Sequence, residues 1–299
     1  MRPLSMHATP WLQRRAWLTR RHAGLALLLL LALMAVLVPG CSSVDPAVQV
    51  LRNSLAAPSL AHPLGTDLLG RDGWARLGHA ARLSLGTGLL ATLSAAVPGA
   101  LLGVLAAWRG GWVERLLVMA ADATLAIPGL LLVLLVAALA PGQLWALYLG
   151  LSLSLWVEYF RVCRAQARPV LAGSAVEAAQ LLGLRTGLIL RRHLWPAVRP
   201  MLARLLPLSV AQAVLSLSAL GFIGVGLQPP QAELGLMLTE YLPHYDEAPW
   251  LIAAPVSVLM ILVLGLMLAA DGASDLRSDT RPLRPDERRL RADDAKEPT

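Results

Sequence analysis

Few residues of this chain have the type and the setting that chemistry inside a membrane would need. Asp122 and Glu158 are acids within long apolar runs, where a carboxylate is costly unless it meets a partner or water. Asp122 comes shortly before Pro128, at which a helix can kink. It therefore has two interpretations: a pore-facing acid, or an acid near the cytoplasmic interface that pairs with Arg115 or with another chain.

The other candidates for chemistry have simpler interpretations. Glu158 and Arg161 are one helical turn apart, which predicts an ion pair at the membrane interface. His62 has no second His or Cys at a ligand spacing, so the sequence predicts no metal site. The single lysine, Lys296, lies in a polar tail, which excludes a phosphate-binding loop of the GxxxxGK[ST] type.

The most informative polar stretch lies between two long apolar runs. It reads Val176-Glu177-Ala178-Ala179-Gln180-Leu181-Leu182-Gly183, and it is followed by Arg191-Arg192-His193-Leu194-Trp195-Pro196. A short helix with small residues and one acid, a glycine break, and a basic cluster before a proline are typical of an amphipathic segment. We expect this segment to lie outside the bilayer and to contact another molecule.

Composition indicates a polytopic membrane protein. Hydrophobic side chains make up 56% of the 299 residues and charged ones only 15%, which is too apolar for an ordinary soluble domain. The net charge of +7 would suggest nucleic acid in a soluble protein. Here the arginines cluster in the gaps between apolar runs, so orientation in the bilayer explains the charge and no nucleic-acid partner is predicted.

Six apolar runs are predicted to cross the membrane, which makes the fold class all-α. The first, 23–40, follows a basic segment, 1–22; the alternative is a cleaved signal peptide with a lipidated Cys41. The long basic segment and the later spans favour an uncleaved helix. The remaining spans form a five-helix domain, 83–271, and they are 83–107, 116–140, 143–160, 201–226 and 250–270.

The arginine distribution predicts the orientation. Five arginines precede the first span, eight lie in 161–204 and six follow residue 271, whereas 227–249 has none. By the positive-inside rule both termini and the loop 164–200 are cytoplasmic. The tail 272–299 lacks apolar periodicity and is predicted to be disordered beyond about residue 279.

Two gaps are predicted to be extracytoplasmic. The loop 41–82 contains Gly, Pro and Asp residues that make turns and local caps, so it is either a structured hairpin at the membrane surface or a direct substrate contact. The gap 227–249 carries Glu233, Glu240, Asp246 and Glu247 without a Lys or Arg. Such an acidic face either docks a basic partner, attracts a cation, or is a solvated loop.

The order of these motifs resembles one family. The first motif along the chain is His62-Pro63-Leu64-Gly65-Thr66-Asp67 with Gly70-Arg71-Asp72. The later motifs are, in order, Asp122 and Pro128; Trp156, Tyr159, Arg161 and Arg164; Glu177-Ala178-Ala179, Gly183, His193 and Pro196; and Gly226-Leu227-Gln228-Pro229-Pro230. This conjunction, over residues 62–279, is similar to the C-type permease subunit of dipeptide, oligopeptide and nickel ABC importers, which are binding-protein-dependent systems of the bacterial inner membrane.

The resemblance implies a type I ABC importer permease fold with six transmembrane helices. It also implies three kinds of protein partner: separate ABC ATPase subunits that bind the ATP, a second, B-type permease subunit, and an extracytoplasmic solute-binding protein. Carried over to this chain, the ATPase-coupling loop would comprise Glu177, Ala178, Ala179, Gly183, His193 and Pro196. From the residues themselves, Asp122 and Pro128 are the candidates for the translocation path, and no metal-binding or cofactor-binding residue is predicted.

The functional expectation is a permease subunit that imports peptides or a similar small solute, nickel included, by alternating access. It performs no catalysis of its own. Two alternatives stay open. The altered stretch Leu171-Ala172-Gly173-Ser174-Ala175, where the family usually has charged residues, is compatible with a structural or regulatory subunit that no longer transports. An intramembrane enzyme would need a nucleophile and a base, and Asp122 and Glu158 have no recognisable partner motif.

Overall fold

The structure, a computed structural model, describes residues 10–41 and 45–274, with side chains placed for 22–39 and 45–270. This described part is helical, without a strand; an isolated bridge joins Thr66 and Asp72. The all-α class is therefore confirmed. The disordered tail and Lys296, both predicted from sequence, lie outside the described residues.

Long helices alternate with short ones along the described chain. In order they are α1 Pro10–Cys41, α2 Gly73–Arg109, α3 Gly111–Leu125, α4 Gly129–Leu139, α5 Leu144–Leu171, α6 Ser174–Leu181, α7 Thr186–Ile189, α8 Trp195–Ile223, α9 Leu234–Tyr241 and α10 Pro249–Ser274. A single π-helical turn, Leu190–Leu194, joins α7 to α8.

Four apolar helical stretches of the described part are long enough to cross a membrane. They are His22–Pro39 in α1, Gly73–Arg109 in α2, Thr186–Ile223 through α7 and α8, and Pro249–Ala270 in α10. Each contains the bulk of a predicted span. Each also extends past the apolar run, since a helix continues into its polar ends until a cap or a turn stops it.

The predicted span 116–140 is a broken helix. α3 and α4 would together make a fifth span, and they meet at a bend of 82°. Pro128 lies at the break and precedes the first residue of α4, where a missing N–H is tolerated. The kink predicted at Pro128 is therefore present, and it is sharp enough to turn the chain.

The remaining predicted span, 143–160, corresponds to α5, which has 28 residues. Its length is sufficient for a membrane core of ~30 Å. Glu158 and Arg161 interrupt its apolar half, so α5 is not among the helices that length and composition mark as membrane spans. A total of six spans accordingly stays a prediction that depends on α5.

Glycines allow the closest helix contacts. A β-carbon at Gly99 of α2 would lie 2.5 Å from the carbonyl oxygen of Trp156 in α5. A β-carbon at Gly24 of α1 would lie 2.7 Å from Cβ of Leu268 in α10. Both distances are too short for any side chain, and small residues at such crossings let membrane helices approach each other closely. These crossings hold α5 and α1 against the rest of the bundle.

Candidate functional site

The segment 174–196, between α5 and the body of α8, consists of two short helices that Gly183 separates. The amide of Gly183 donates to the carbonyl of Gln180 (2.9 Å), and that of Leu184 donates to the carbonyl of Ala179 (3.1 Å). Gly183 has φ +69°, a left-handed conformation that glycine adopts without steric cost. It is therefore the residue at which the chain turns from α6 towards α7.

The residues predicted to dock an ATPase do not all lie on the surface. Of the six, Glu177, Ala178, Gly183 and Pro196 are exposed, His193 is half-buried and Ala179 is buried. The two faces of α6 consequently have different roles, and the buried one faces the chain itself.

The inner face of α6 packs on the end of α5 and on the end of α2. Val176, Ala179 and Ile189 form a small buried cluster, against which Trp108 and Leu171 pack. Ala179 thus fixes the orientation of α6 and offers no surface of its own. On the outer face, the carboxylate of Glu177 makes no ion pair with any other described residue, so its charge is available to a partner.

Sequence reasoning missed the apolar part of this surface. Leu181 and Leu182 are 84% and 79% exposed, and they lie directly before Gly183 at the end of α6. Consecutive helix positions are about 100° apart, so two adjacent leucines at the end of a short helix point in clearly different directions, and burying both needs a wide apolar contact. That pattern was the available signal, and an exposed apolar pair of this kind is typical of a protein contact.

His193 and Pro196 lie where the segment 174–196 enters α8. Pro196 has no N–H and cannot donate to the carbonyl of Arg192, four residues earlier, and the π-helical turn Leu190–Leu194 is directly before it. Nδ1 of His193 is buried without a hydrogen-bond partner among the described residues. The backbone around both residues sets the angle at which the segment joins α8.

Asp122 pairs with Arg161 of α5. Nη2 of Arg161 donates to Oδ1 of Asp122 over 2.6 Å, and the two side chains are 54% and 55% exposed. The predicted pair of Glu158 with Arg161 is wrong, because the Arg161 side chain reaches α3 instead. Glu158 is exposed and has no ion-pair partner among the described residues.

The depth of these charges decides what can surround them. Glu158 is fourteen residues into α5, which corresponds to about 21 Å along a helix; the predicted span 143–160 would place it inside a hydrocarbon core of ~30 Å. Exposed charges at that depth are found facing water-filled cavities or other proteins, since lipid would leave them unsolvated.

A second set of ion pairs joins the same two helices. Nε of Arg164 donates to Oε1 of Glu114 over 2.6 Å, and Nη2 of Arg168 is 2.6 Å from the same oxygen. Sequence reasoning did not single out Glu114. The available signal was the spacing of Arg164 and Arg168, which puts two cations on one face of α5.

The predicted hairpin in the loop 41–82 is confirmed as a structured turn. The bridge between Thr66 and Asp72 closes it, and the Asp72 carboxylate accepts from the amide of Ala75 (2.7 Å) as the N-cap of α2. Nδ1 of His62 lies 2.6 Å from the other oxygen of Asp72. His62 is therefore a partner of this cap.

A buried ion network ties the hairpin to α9. Nε of Arg71 donates to Asp67 over 2.6 Å, and its Nη2 donates to Glu240 over 3.1 Å. Arg76, which is fully buried, also bonds to Glu240 and lies 3.5 Å from Asp67. Burial alone would lower the pKa of Arg71, but the carboxylates of Asp67 and Glu240 outweigh it and raise this pKa above its usual value. Burial raises the pKa of neighbouring Tyr241 to about 12.

Glu233 is likewise an interior residue. Its side chain is inaccessible to solvent and accepts hydrogen bonds from Ser84 (3.2 Å), Ser218 (3.0 Å) and the amide of Leu236 (2.9 Å), as the N-cap of α9. For Glu233 and Glu240 the predicted acidic face, whether solvated or binding a partner, is wrong. Both residues instead fasten α9 to α2 and α8.

The described polar clusters hold helices together and are not arranged for catalysis. Among the described residues no group of three His, Cys, Asp or Glu could hold a metal ion. Cys163, whose thiol is buried, is free; the side chain of Cys41 lies outside the described residues. The accessible groups at the predicted site residues include the acid Glu177 on α6, the leucines Leu181 and Leu182 at its end, and the exposed ion pair of Asp122 with Arg161 between α3 and α5.

Known proteins share both the fold and the sequence of this chain. One chain of the methionine ABC transporter MetNI, in an inward-facing conformation, superimposes with a TM-score of 0.53 at 20% identity, covering 67% of this chain and 94% of its own. That likeness concerns the fold, and it confirms the predicted importer-permease architecture.

Two curated relatives are closer in sequence. The oligopeptide transport system permease protein OppC of Bacillus subtilis (strain 168) is 30% identical over 84% of this chain and 83% of its own length. The dipeptide transport system permease protein DppC of Alkalihalophilus pseudofirmus is 30% identical over 89% of each. Both are transport permeases and not enzymes, and the intramembrane-enzyme alternative is dropped.

The family model is consistent with these relatives. The model of the binding-protein-dependent transport system inner membrane component matches residues 99–276, a range that runs from the α2 and α5 crossing at Gly99 through the segment 174–196 and into α10. This multi-pass membrane protein therefore belongs to the binding-protein-dependent transport system inner membrane component family.

Proposed function

We propose that this chain is the permease subunit of an ATP-driven importer that takes up peptides or a similar small solute. The observation that carries the proposal is the outer face of α6: an unpaired Glu177 beside two exposed leucines, on a helix whose inner face is fixed by Ala179. Relatives named as oligopeptide and dipeptide permeases support the peptide class, and nickel is a further candidate solute.

Coupling to a separate ATPase follows from this surface. An exposed acid can pair with an arginine of the ATPase, while Leu181 and Leu182 supply apolar area beside it. The ATPase subunits bind all the ATP, and this chain itself holds no cofactor. A second, B-type permease completes the membrane part, and an extracytoplasmic binding protein delivers the solute.

Orientation in the bacterial inner membrane follows the arginines. Both termini and the segment 174–196 are cytoplasmic, and the hairpin around Asp67 is outside, since positively charged loops stay in the cytoplasm. The ion network of Arg71, Arg76 and Glu240 then stiffens the side from which the solute enters.

The solute path runs past Asp122 and Pro128. The exposed pair of Asp122 with Arg161 needs water or protein around it at membrane depth, and the bend at Pro128 turns α3 away from α4. Alternating access would change whether water or protein surrounds the pair of Asp122 with Arg161. The unpaired Glu158 lies on the same helix as Arg161.

Reconstitution tests the proposal. The chain should be purified alone and also with a second permease, the ATPases and a binding protein of the same system, each preparation in lipid vesicles. We expect peptide uptake and ATP hydrolysis from the complete assembly alone. The proposal would be contradicted if the isolated chain hydrolysed ATP, or if the complete assembly took up no more peptide than the isolated chain.

A further inference from the structure

A groove of about 470 Å³ lies between α2 and the start of α8. Its walls are apolar except at one position: among the described residues that line it, Arg191 is the one with a charge. The main contributors are Ala100, Leu101 and Val104 from α2, and Leu194, Trp195 and Val198 from the π-helical turn and α8. An apolar groove with a single cation fits an amphipathic, anionic molecule.

The groove lies near one end of the bundle. Val104 is five residues before the last residue of α2, which corresponds to about 8 Å along the helix axis. Trp195 is 54% exposed, and tryptophan is enriched at the boundary between hydrocarbon and headgroups. An exposed tryptophan beside an arginine at the end of an apolar groove is the pattern expected where a phospholipid changes from acyl chain to phosphate.

We propose that this groove binds an anionic phospholipid, with an acyl chain along α2 and the phosphate paired with Arg191. The Arg191 side chain is exposed and makes no ion pair with any other described residue, so it is available to the headgroup. Basic pockets between membrane helices are a recurrent way of binding such headgroups. The proposal goes beyond transport, because it concerns the lipid that surrounds the permease.

Lipid in this groove would also affect the segment 174–196. Gly187 of α7 and Leu190 of the π-helical turn line the groove, and the same stretch leads back to α6. A bound lipid therefore supports the joint between α6 and α8 from the membrane side. Membrane composition would in this way influence the surface on which we place the ATPase.

Quenching of tryptophan fluorescence by brominated lipid tests the proposal on the full chain in lipid discs. Brominated phosphatidylglycerol or phosphatidylcholine is titrated into discs of unbrominated phosphatidylcholine, and Trp195→Phe identifies the part of the signal due to Trp195. We expect Trp195 to be quenched at a lower fraction of phosphatidylglycerol than of phosphatidylcholine. Arg191→Gln should reduce this preference about fivefold, the effect of one cation near the surface.

Arg192→Gln is the matched control, because Arg192 is adjacent and exposed but does not line the groove. It should keep the preference; an equal loss in both variants would show general attraction to a basic patch and overturn the site. Gly187→Leu adds a side chain where a β-carbon would meet nothing within 4 Å, and it should reduce quenching by both lipids.

Two further outcomes would overturn the proposal. Quenching that Gly187→Leu leaves unchanged would place the lipid elsewhere. Absence of any Trp195 quenching would show that no lipid chain occupies the groove beside Trp195. Because the measurement needs neither partner subunits nor transport, its failure would leave the proposed function standing.

Discussion

Single residues of this chain separate into those that hold the fold and those that stay available. Asp67, Arg71 and Glu240 pair with one another in the buried ion network between the hairpin and α9. Glu177 keeps its charge unpaired on the outer face of α6. The sequence could not separate these classes, because each is an acid or an arginine in a gap between apolar runs.

Glu240→Gln should destabilise the folded chain. The substitution leaves Arg71 and Arg76 buried with one carboxylate fewer, and breaking a buried ion pair by removing one partner costs about 3 kcal/mol. Thermal unfolding of the purified chain in detergent measures the change. Asp246→Asn is the control, since Asp246 is exposed and makes no ion pair with another described residue; equal melting of both variants would contradict a stabilising network.

Asp122 and Arg161 should depend on each other during transport. Asp122→Arg and Arg161→Asp each bring like charges together at membrane depth, so either alone should reduce uptake more than tenfold, whereas the two together should restore much of it. The measurement is solute uptake by the reconstituted assembly. Single variants that transport normally would show that the pair is dispensable. If the single variants lose uptake and the double variant does not recover it, the orientation of the pair matters as well as its charge.

Individual elements were predictable to different degrees. The length of the apolar runs located the membrane helices, and Pro128 predicted the break between α3 and α4, whose angle of 82° depends on packing. The length of α5 was underestimated, because its C-terminal half carries arginines that pair with Glu114 and Asp122 of α3. Such partners are distant in sequence and follow no local period. The burial of Glu233 is similar, since it depends on serines from two other helices.

The turn between α6 and α7 should require glycine at position 183 and not at position 187. A β-carbon at either residue would meet nothing within 4 Å, but only Gly183 of the two has a positive φ. Gly183→Ala should therefore cost about 1 kcal/mol of local stability, while Gly187→Ala, inside a helix, should be neutral or stabilising. Hydrogen exchange of residues 174–189 measures this, and equal protection in both variants would exclude backbone conformation as the reason for glycine.

The uneven distribution of arginines predicts the orientation of the whole molecule in the membrane. Reporter domains fused after Thr299 or inserted near Gly187 should report the cytoplasm, and one near Ala57 should report the outside, because positively charged loops are retained inside. An extracytoplasmic signal at Gly187 would contradict the orientation and would remove the segment 174–196 from the reach of any cytoplasmic ATPase. Fold class and family were accessible from sequence at this scale, since they depend on many motifs in order and not on single contacts.

Co-purification of the ATPase with Glu177→Lys shows whether the outer face of α6 binds a separate ATPase. Reversing this unpaired charge should turn attraction into repulsion at the interface, and a charged residue left without its partner there typically costs about 2–5 kcal/mol, which weakens binding well over tenfold. We predict that Glu177→Lys inserts normally but loses the ATPase and solute uptake, while Asp246→Asn keeps both. Full ATPase retention and normal uptake by Glu177→Lys would contradict ATPase binding at this face of α6.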